Sequence, residues 1–231
     1  MIAIMKKEAM MMLVMPTTYV ILALYLFFSS FFIYFSVIAF STNNLSGFLD
    51  RFDLFIALVN PLLAARLISE ELRQKTYELL LSSPHSTFVI VLAKYAVAIF
   101  FFLLALLVSL LPLFILSTMT PLYWSAIFLG YGRLFLLGAT VIAIGLVASS
   151  LTESVFLAAF FSLAFSLFAY LFSIEFSSFP GFLNFLLKEI SFFSHIESFR
   201  LGILSFGDLA YFFFYIVTML VFSAFLLERR R

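Results

Sequence analysis

The fold class this sequence predicts is an all-α integral membrane domain, and three observations carry that expectation. Hydrophobic residues make up 65% of the 231 positions and charged residues only 11%, against roughly 25% charged in a soluble domain. The mean hydropathy is +1.21, which leaves too little polar surface to cover a globular core in water. Several apolar stretches reach about 18 residues or more, long enough to cross a hydrocarbon core of about 30 Å. Six such spans with short connections account for 1–231 as a single transmembrane domain.

The elements follow in order. Residues 2–15 are apolar apart from Lys6, Lys7 and Glu8 and stop at Pro16. They are too short to span and suit a helix lying in the membrane interface. The first span is expected at about 17–40, too long for the apolar core of a signal peptide, and a polar turn follows at Ser41–Gly47. The second, at about 52–68, contains Asn60-Pro61, where proline removes a backbone donor and predicts a kink. A charged island, 69–83, leads through Ser83-Pro84 into the third span at about 88–116. Spans four and five are placed at about 124–148 and 155–174, joined by a tight turn at Ser149–Ser154. Residues 175–208 hold two short apolar pieces broken by Pro180-Gly181 and Lys188-Glu189, the pattern of a re-entrant or interfacial hairpin. The sixth span, about 209–227, ends in a basic tail.

Basic residues set the orientation. With the N-terminus inside, Lys6, Lys7, Arg66, Arg73, Lys75, Lys94 and Arg229–Arg231 face the cytoplasm, against Arg51, Lys188 and Arg200 outside. This asymmetry predicts a multi-pass protein with both termini cytoplasmic.

Several functions are excluded or disfavoured. Without cysteine there are no disulfides, zinc thiolates or iron–sulfur ligands. No basic tract with interleaved aromatics marks a nucleic-acid interface. His85 and His195 fall on opposite sides of the membrane in this topology, and there is no HExxH, GxSxG or GxxxxGK[ST] motif. The expectation is therefore a non-catalytic chain with no metal or cofactor of its own, whose energy comes from a gradient or from another polypeptide.

The island carries the functional signal. On a helical projection Ile68, Leu72, Thr76, Leu79 and Leu80 share one face. Glu70–Gln74 and Glu71–Lys75 form i, i+4 pairs on the remainder. A short amphipathic helix of this kind can seat in a groove on a partner, its charges fixing the register; an ordinary solvated loop is the plainer alternative.

The segment Asn60–Tyr95, NPLLAARLISEELRQKTYELLLSSPHSTFVIVLAKY, resembles the hallmark region of ABC-2 type transporter permeases. The likeness is closest to the gliding-motility and copper-processing-type branch and its EE-x-R-x-x-T-x-E-L-L-x-x-x-P … GK pattern. Glu70, Glu71, Arg73, Thr76, Glu78, Leu79, Leu80, Pro84 and Lys94 match, with Ala93 in place of glycine. Lys6–Pro16, Tyr131–Ser154 and His195–Arg231 resemble further parts of the same family. The resemblance implies six spans, a second permease (a copy of this chain or a relative) and two ABC ATPase subunits that carry the ATP and Mg. It implies a bacterial cytoplasmic (inner) membrane and, as function, an ATP-driven exporter. Segment 69–83 becomes a coupling helix on the ATPase, with Glu70, Glu71, Arg73, Lys75, Thr76 and Glu78 at that contact and Glu153 in a smaller one. A mechanotransmitting complex acting on an extracytoplasmic partner protein, or an ATP-independent secondary transporter, are the rival readings. Scarce intramembrane ionisable residues and the lack of an internal repeat argue against the latter.

Within the spans, Asn60, Pro61, Arg133 and Gly138 are candidates for the substrate pathway or a helix interface. An arginine in span four costs about 2.5–3.5 kcal/mol on insertion scales. Arg133 therefore lines the path, pairs with an acid such as Glu175, or snorkels to the interface. Asp50, Arg51 and Asp53 are expected to be solvated at the outer end of span two. Gly130, Gly132, Gly138 and Gly145 make span four a candidate interface between subunits.

Overall fold

The computed structural model describes residues 2–36, 46–76, 86–171, 195, 196, 199 and 205–230. Among them every regular element is helical. We number the helices α1 (Ile2–Val14), α2 (Pro16–Tyr34), α3 (Ser46–Arg73), α4 (Thr87–Ser109), α5 (Leu111–Ser117), α6 (Trp124–Leu151), α7 (Val155–Leu171) and α8 (Phe206–Glu228). Five segments are long and apolar enough to cross a membrane: α2, α3, α4 with α5, α6 and α8. The apolar α7 is shorter. The chain is a helical membrane protein by this measure. The predicted hairpin at 175–208 falls almost wholly outside the described residues.

The bundle is built around α3 and α6, which run parallel. Successive contacts step along both helices in the same direction: Asp53 with Arg133, Asn60 with Gly138, Ala65 with Ser149. Residues 137–150 of α6 are buried without interruption, as expected of a helix apolar all round. A Cβ on Gly138 would overlap the Phe102 ring, and one on Gly145 would collide with the Ala64 methyl. The glycines of span four thus pack inside this chain, not against another subunit as the spacing had suggested; Gly132 alone of the four has open space at its Cβ position.

Against this pair, α2 and α4 run the opposite way. Tyr25 of α2 is wholly buried, with its ring edge-on to Phe52 and Phe55 and its hydroxyl donating to Asn60 Oδ1 at 2.5 Å. In α4, Phe102 packs at Gly138 while Ser109 meets Tyr131. α7 returns antiparallel after a three-residue turn, and α8 lies alongside α6 with its Arg230 on the Leu151 carbonyl.

Three boundaries differ from expectation. The third span is broken at Leu110, because Pro112 supplies no N–H to continue the ladder and starts α5 afresh. The second span extends at both ends, from 52–68 to Ser46–Arg73. The first residues of the charged island are therefore the end of α3, and the helical path stops at a turn over Gln74 and Lys75, where Lys75 takes φ 56°. An uninterrupted helix over 69–83 is excluded by that turn; residues 77–85 lie outside the described residues.

Pro61 leaves the Ala57 carbonyl without its i+4 donor. Ser166 of α7 donates to that carbonyl at 2.7 Å. Eight residues on, Ser149 of α6 inserts against the α3 backbone. Its hydroxyl donates to Ala65 O at 2.7 Å and accepts from the N–H groups of Ile68 and Ser69. Both devices keep the weakened part of α3 satisfied by neighbours, as a low-dielectric surround requires.

Candidate functional site

The end of the bundle where α3 and α6 finish gathers α1, the C-terminal end of α3, the start of α4, the α6–α7 turn and the end of α8. At its centre, Lys94 of α4 is 1% exposed and holds two carboxylates. Its ammonium lies 3.0 Å from Glu8 Oε1 of α1 and 2.8 Å from Glu71 Oε1 of α3. A lysine has three N–H donors and no acceptor, so one ammonium can satisfy both acids at once. The three groups carry a formal charge of −1 between them. Glu71 Oε2 is buried and has no hydrogen-bond partner among the described residues.

The cluster exists because α1 does not spread its three charges along one exposed sector. Lys6 and Lys7 are exposed while Glu8 is buried inward, and Met10, Leu13 and Val14 face outward. The Thr18 hydroxyl, donating to Met12 O at 2.6 Å, fixes the corner between α1 and α2. Between α1, α2, α3 and α4 lies a cavity of about 250 Å³, with Glu8, Glu71 and Lys94 in its wall and Met11, Met12 and Met15 along α1.

The sequence-predicted contact residues separate into inward and outward groups. Glu71 turns inward to Lys94 and not to Lys75, which stands exposed on the left-handed turn. Glu70 is half-buried and takes Arg66 at 3.5 Å and Arg73 at 3.8 Å. Arg73 and Lys75 are exposed, and the Thr76 hydroxyl donates to Glu71 O at 3.4 Å. Glu78 lies outside the described residues. Glu153 is on the exposed α6–α7 turn at the same end and meets Arg230 at 3.7 Å. The turn itself is 152–154: Ser149 and Ser150, expected in it, are buried in the last turns of α6.

The opposite end holds a second buried cluster. Arg133 is 2% exposed and lies 2.7 Å from Asp53 and 3.2 Å from Asp50, both on α3. It neither snorkels nor stands open to a path. Asp53, expected to be solvated, is 4% exposed, and Arg51 donates to the Ser36 hydroxyl at 2.9 Å. The suggested partner Glu175 lies outside the described residues. Asn60, beside Pro61, is a buried link between α2 and α6, accepting from Tyr25 and reaching the Gly138 carbonyl at 3.4 Å. Among the described residues no group of acids and histidines is arranged to hold a metal ion.

Sequence reasoning missed Glu8 and the role of Lys94. The signal was present, since a lysine inside an apolar span is costly unless paired, yet Lys94 entered only through the orientation and the family pattern, with no partner assigned. Comparison of the sequence with protein-family models and with curated proteins finds no match in either.

Proposed function

We propose that this chain is the membrane-spanning, non-catalytic subunit of an ATP-driven transporter, an exporter of the bacterial inner membrane. In this reading six helical segments cross, with α7 as the short fifth, and both termini are cytoplasmic. The observation that carries it is the buried bridge from Glu8 through Lys94 to Glu71. It ties the segment that resembles a coupling element to two other helices at once. A push on the exposed residues Arg73 and Lys75 and the half-buried Glu70 would move the end of α3, and through the shared ammonium would carry α1 and the start of α4 with it. Because α3 lies parallel against α6 along most of its length, that displacement reaches the core of the bundle. ATP and Mg belong to two copies of a partner ATPase, and a second permease completes the path.

Affinity purification of the chain from its native membrane in gentle detergent tests this. A co-purifying P-loop ATPase, lost on Glu70→Ala/Arg73→Ala, is the expected result. Those two positions are chosen because Glu71 faces inward and its loss would disturb the fold. A second reading, an ion-coupled transporter without an ATPase, draws support from the two buried clusters of two carboxylates on one cation, since buried ionisable groups mark ion pathways. Retention of other complexes with no ATPase present would move that reading to the front.

A further inference from the structure

The outward face of α1 carries charge of one sign only. Lys6 and Lys7 are exposed, whereas Glu8, the one acid on the helix, is turned inward and held by Lys94 at 3.0 Å. Among the described residues neither exposed lysine makes an ion pair. The bridge to Lys94 thus takes away the acid that stands next to these two lysines in the chain.

The same face is graded along the helix axis. Lys6, Met10, Leu13 and Val14 stand at i, i+4, i+7 and i+8, one stripe of a helix. Met10, Leu13 and Val14 are 59%, 48% and 81% exposed. At 1.5 Å per residue, Lys6 lies about 10 Å from Leu13 along the axis. The apolar end leads through Pro16 into α2, a helix long and apolar enough to cross a membrane, whose exposed Tyr19 and Val20 continue the stripe. Val14 therefore belongs at the acyl boundary. The lysines belong at headgroup level, where the stem packs on apolar surface and the ammonium stays among the phosphates.

We propose that the outward face of α1 binds anionic phospholipids, with Lys6 and Lys7 on the headgroups and Met10, Leu13 and Val14 in the first part of the acyl layer. A zwitterionic lipid would fit the apolar half equally well but would leave the two cations uncompensated, and an anionic headgroup supplies the missing charge. An acidic protein segment would match the lysines and not the apolar stripe that continues into a spanning helix. Because the inward side of α1 holds Glu8 on Lys94, the helix links the charge of the membrane surface to the ends of α3 and α4. The site does not depend on the transporter reading, because nothing in it requires an ATPase.

The test uses the single tryptophan of the chain. Trp124→Phe/Val14→Trp moves that reporter from the opposite end of the bundle onto α1. The purified full-length variant is reconstituted in phosphatidylcholine bilayers that contain brominated phosphatidylglycerol or brominated phosphatidylcholine of the same chains. Fluorescence quenching then gives the relative affinity of the two lipids at α1. The expected preference for phosphatidylglycerol is about fivefold for each lysine at the surface, and it should fall as salt is raised. Adding Lys6→Gln/Lys7→Gln should bring the two lipids close to equality. The same pair of substitutions should leave quenching of Trp124 in the otherwise unaltered chain unchanged. Equal quenching by both lipids at α1 overturns the proposal. So does a preference that survives Lys6→Gln/Lys7→Gln, which would assign it to other cations at this end. Quenching by neither lipid would show the face covered by protein and overturns it as well. If the reporter variant does not purify, native mass spectrometry of the unaltered chain and of Lys6→Gln/Lys7→Gln decides. Fewer phosphatidylglycerol adducts on the variant support the site, and equal numbers overturn it.

Discussion

The two buried ionic clusters have the same stoichiometry and opposite mechanical settings. At one end Arg133 joins two carboxylates of a single helix, α3, to α6, the helix α3 already packs against along most of its length. At the other end Lys94 of α4 joins a carboxylate of α1 to one of α3. The first cluster doubles an existing interface. The second links α1 to α3 through α4, and beside it lies the cavity. Charge buried inside a membrane protein is thus used here both to register two helices and to tie together three. What separates the two uses is how many helices the cation joins: two at Arg133, three at Lys94.

Removing the cation should expose the difference. Lys94→Met leaves two buried carboxylates uncompensated and is expected to destabilise by about 3–5 kcal/mol, read as a lowered melting temperature in detergent. Hydrogen exchange over residues 2–14 should rise in the same variant, because α1 loses its attachment. The charge-balanced variant Glu8→Gln/Lys94→Met/Glu71→Gln should recover the stability. If exchange of α1 stays protected in Lys94→Met, the ammonium is not what holds that helix.

Arg133→Met is the counterpart, with a smaller expected cost of about 3 kcal/mol, because Asp50 is a third exposed and can hydrate while Asp53 cannot. Exchange of α1 should not change. Equal loosening of α1 in both variants would mean that the clusters are coupled through α3 and act as one unit.

The α3–α6 interface can be tested without touching charge. Gly145→Ala drives a methyl into the Ala64 methyl, which has no rotamer by which to escape, so the backbones must separate. Gly138→Ala meets the far edge of the Phe102 ring and the Asn60 amide, both side-chain ends and neither of them backbone. The expected costs fall at about 3 and about 1 kcal/mol, the two ends of the overpacking range. Gly132→Ala, with open space at its Cβ position, should be neutral or stabilising by about 0.5–1 kcal/mol through helix propensity. Melting temperatures of the three variants rank the contacts directly.

Most of the helical layout was legible in hydropathy, because the length of an apolar run is a local property and the bilayer selects for it. Pairing across the bundle was not. Asp53 and Arg133 are far apart in the chain, and nothing in either neighbourhood identifies the other; composition alone made Asp53 look like a solvated helix end. The end of α3 was misplaced for a related reason. Charge normally marks where a span stops, but Glu71 is charged and buried at once because Lys94 stands opposite it. Pro112 was a readable break that a long apolar run obscured. Ser149 looked like part of a polar turn, and only the parallel approach of α3 and α6 turns its hydroxyl into a clip on the α3 backbone.

The smallest expected effect bears on how α3 tolerates its proline. Pro61 cannot donate to Ala57 O, and Ser166 of α7 occupies that acceptor at 2.7 Å. Ser166→Ala should cost about 1 kcal/mol, between the penalty for an unsatisfied buried carbonyl and the smaller average measured for side-chain hydrogen bonds in membranes. The comparison that gives this number meaning is the same substitution made in a Pro61→Ala background. There the restored backbone N–H can satisfy Ala57 by itself, so the cost of Ser166→Ala should fall toward zero. A double-mutant cycle with unfolding monitored in detergent measures the difference. An equal cost in both backgrounds would show that Ser166 acts by packing α7 onto α3, and that the proline needs no help from it.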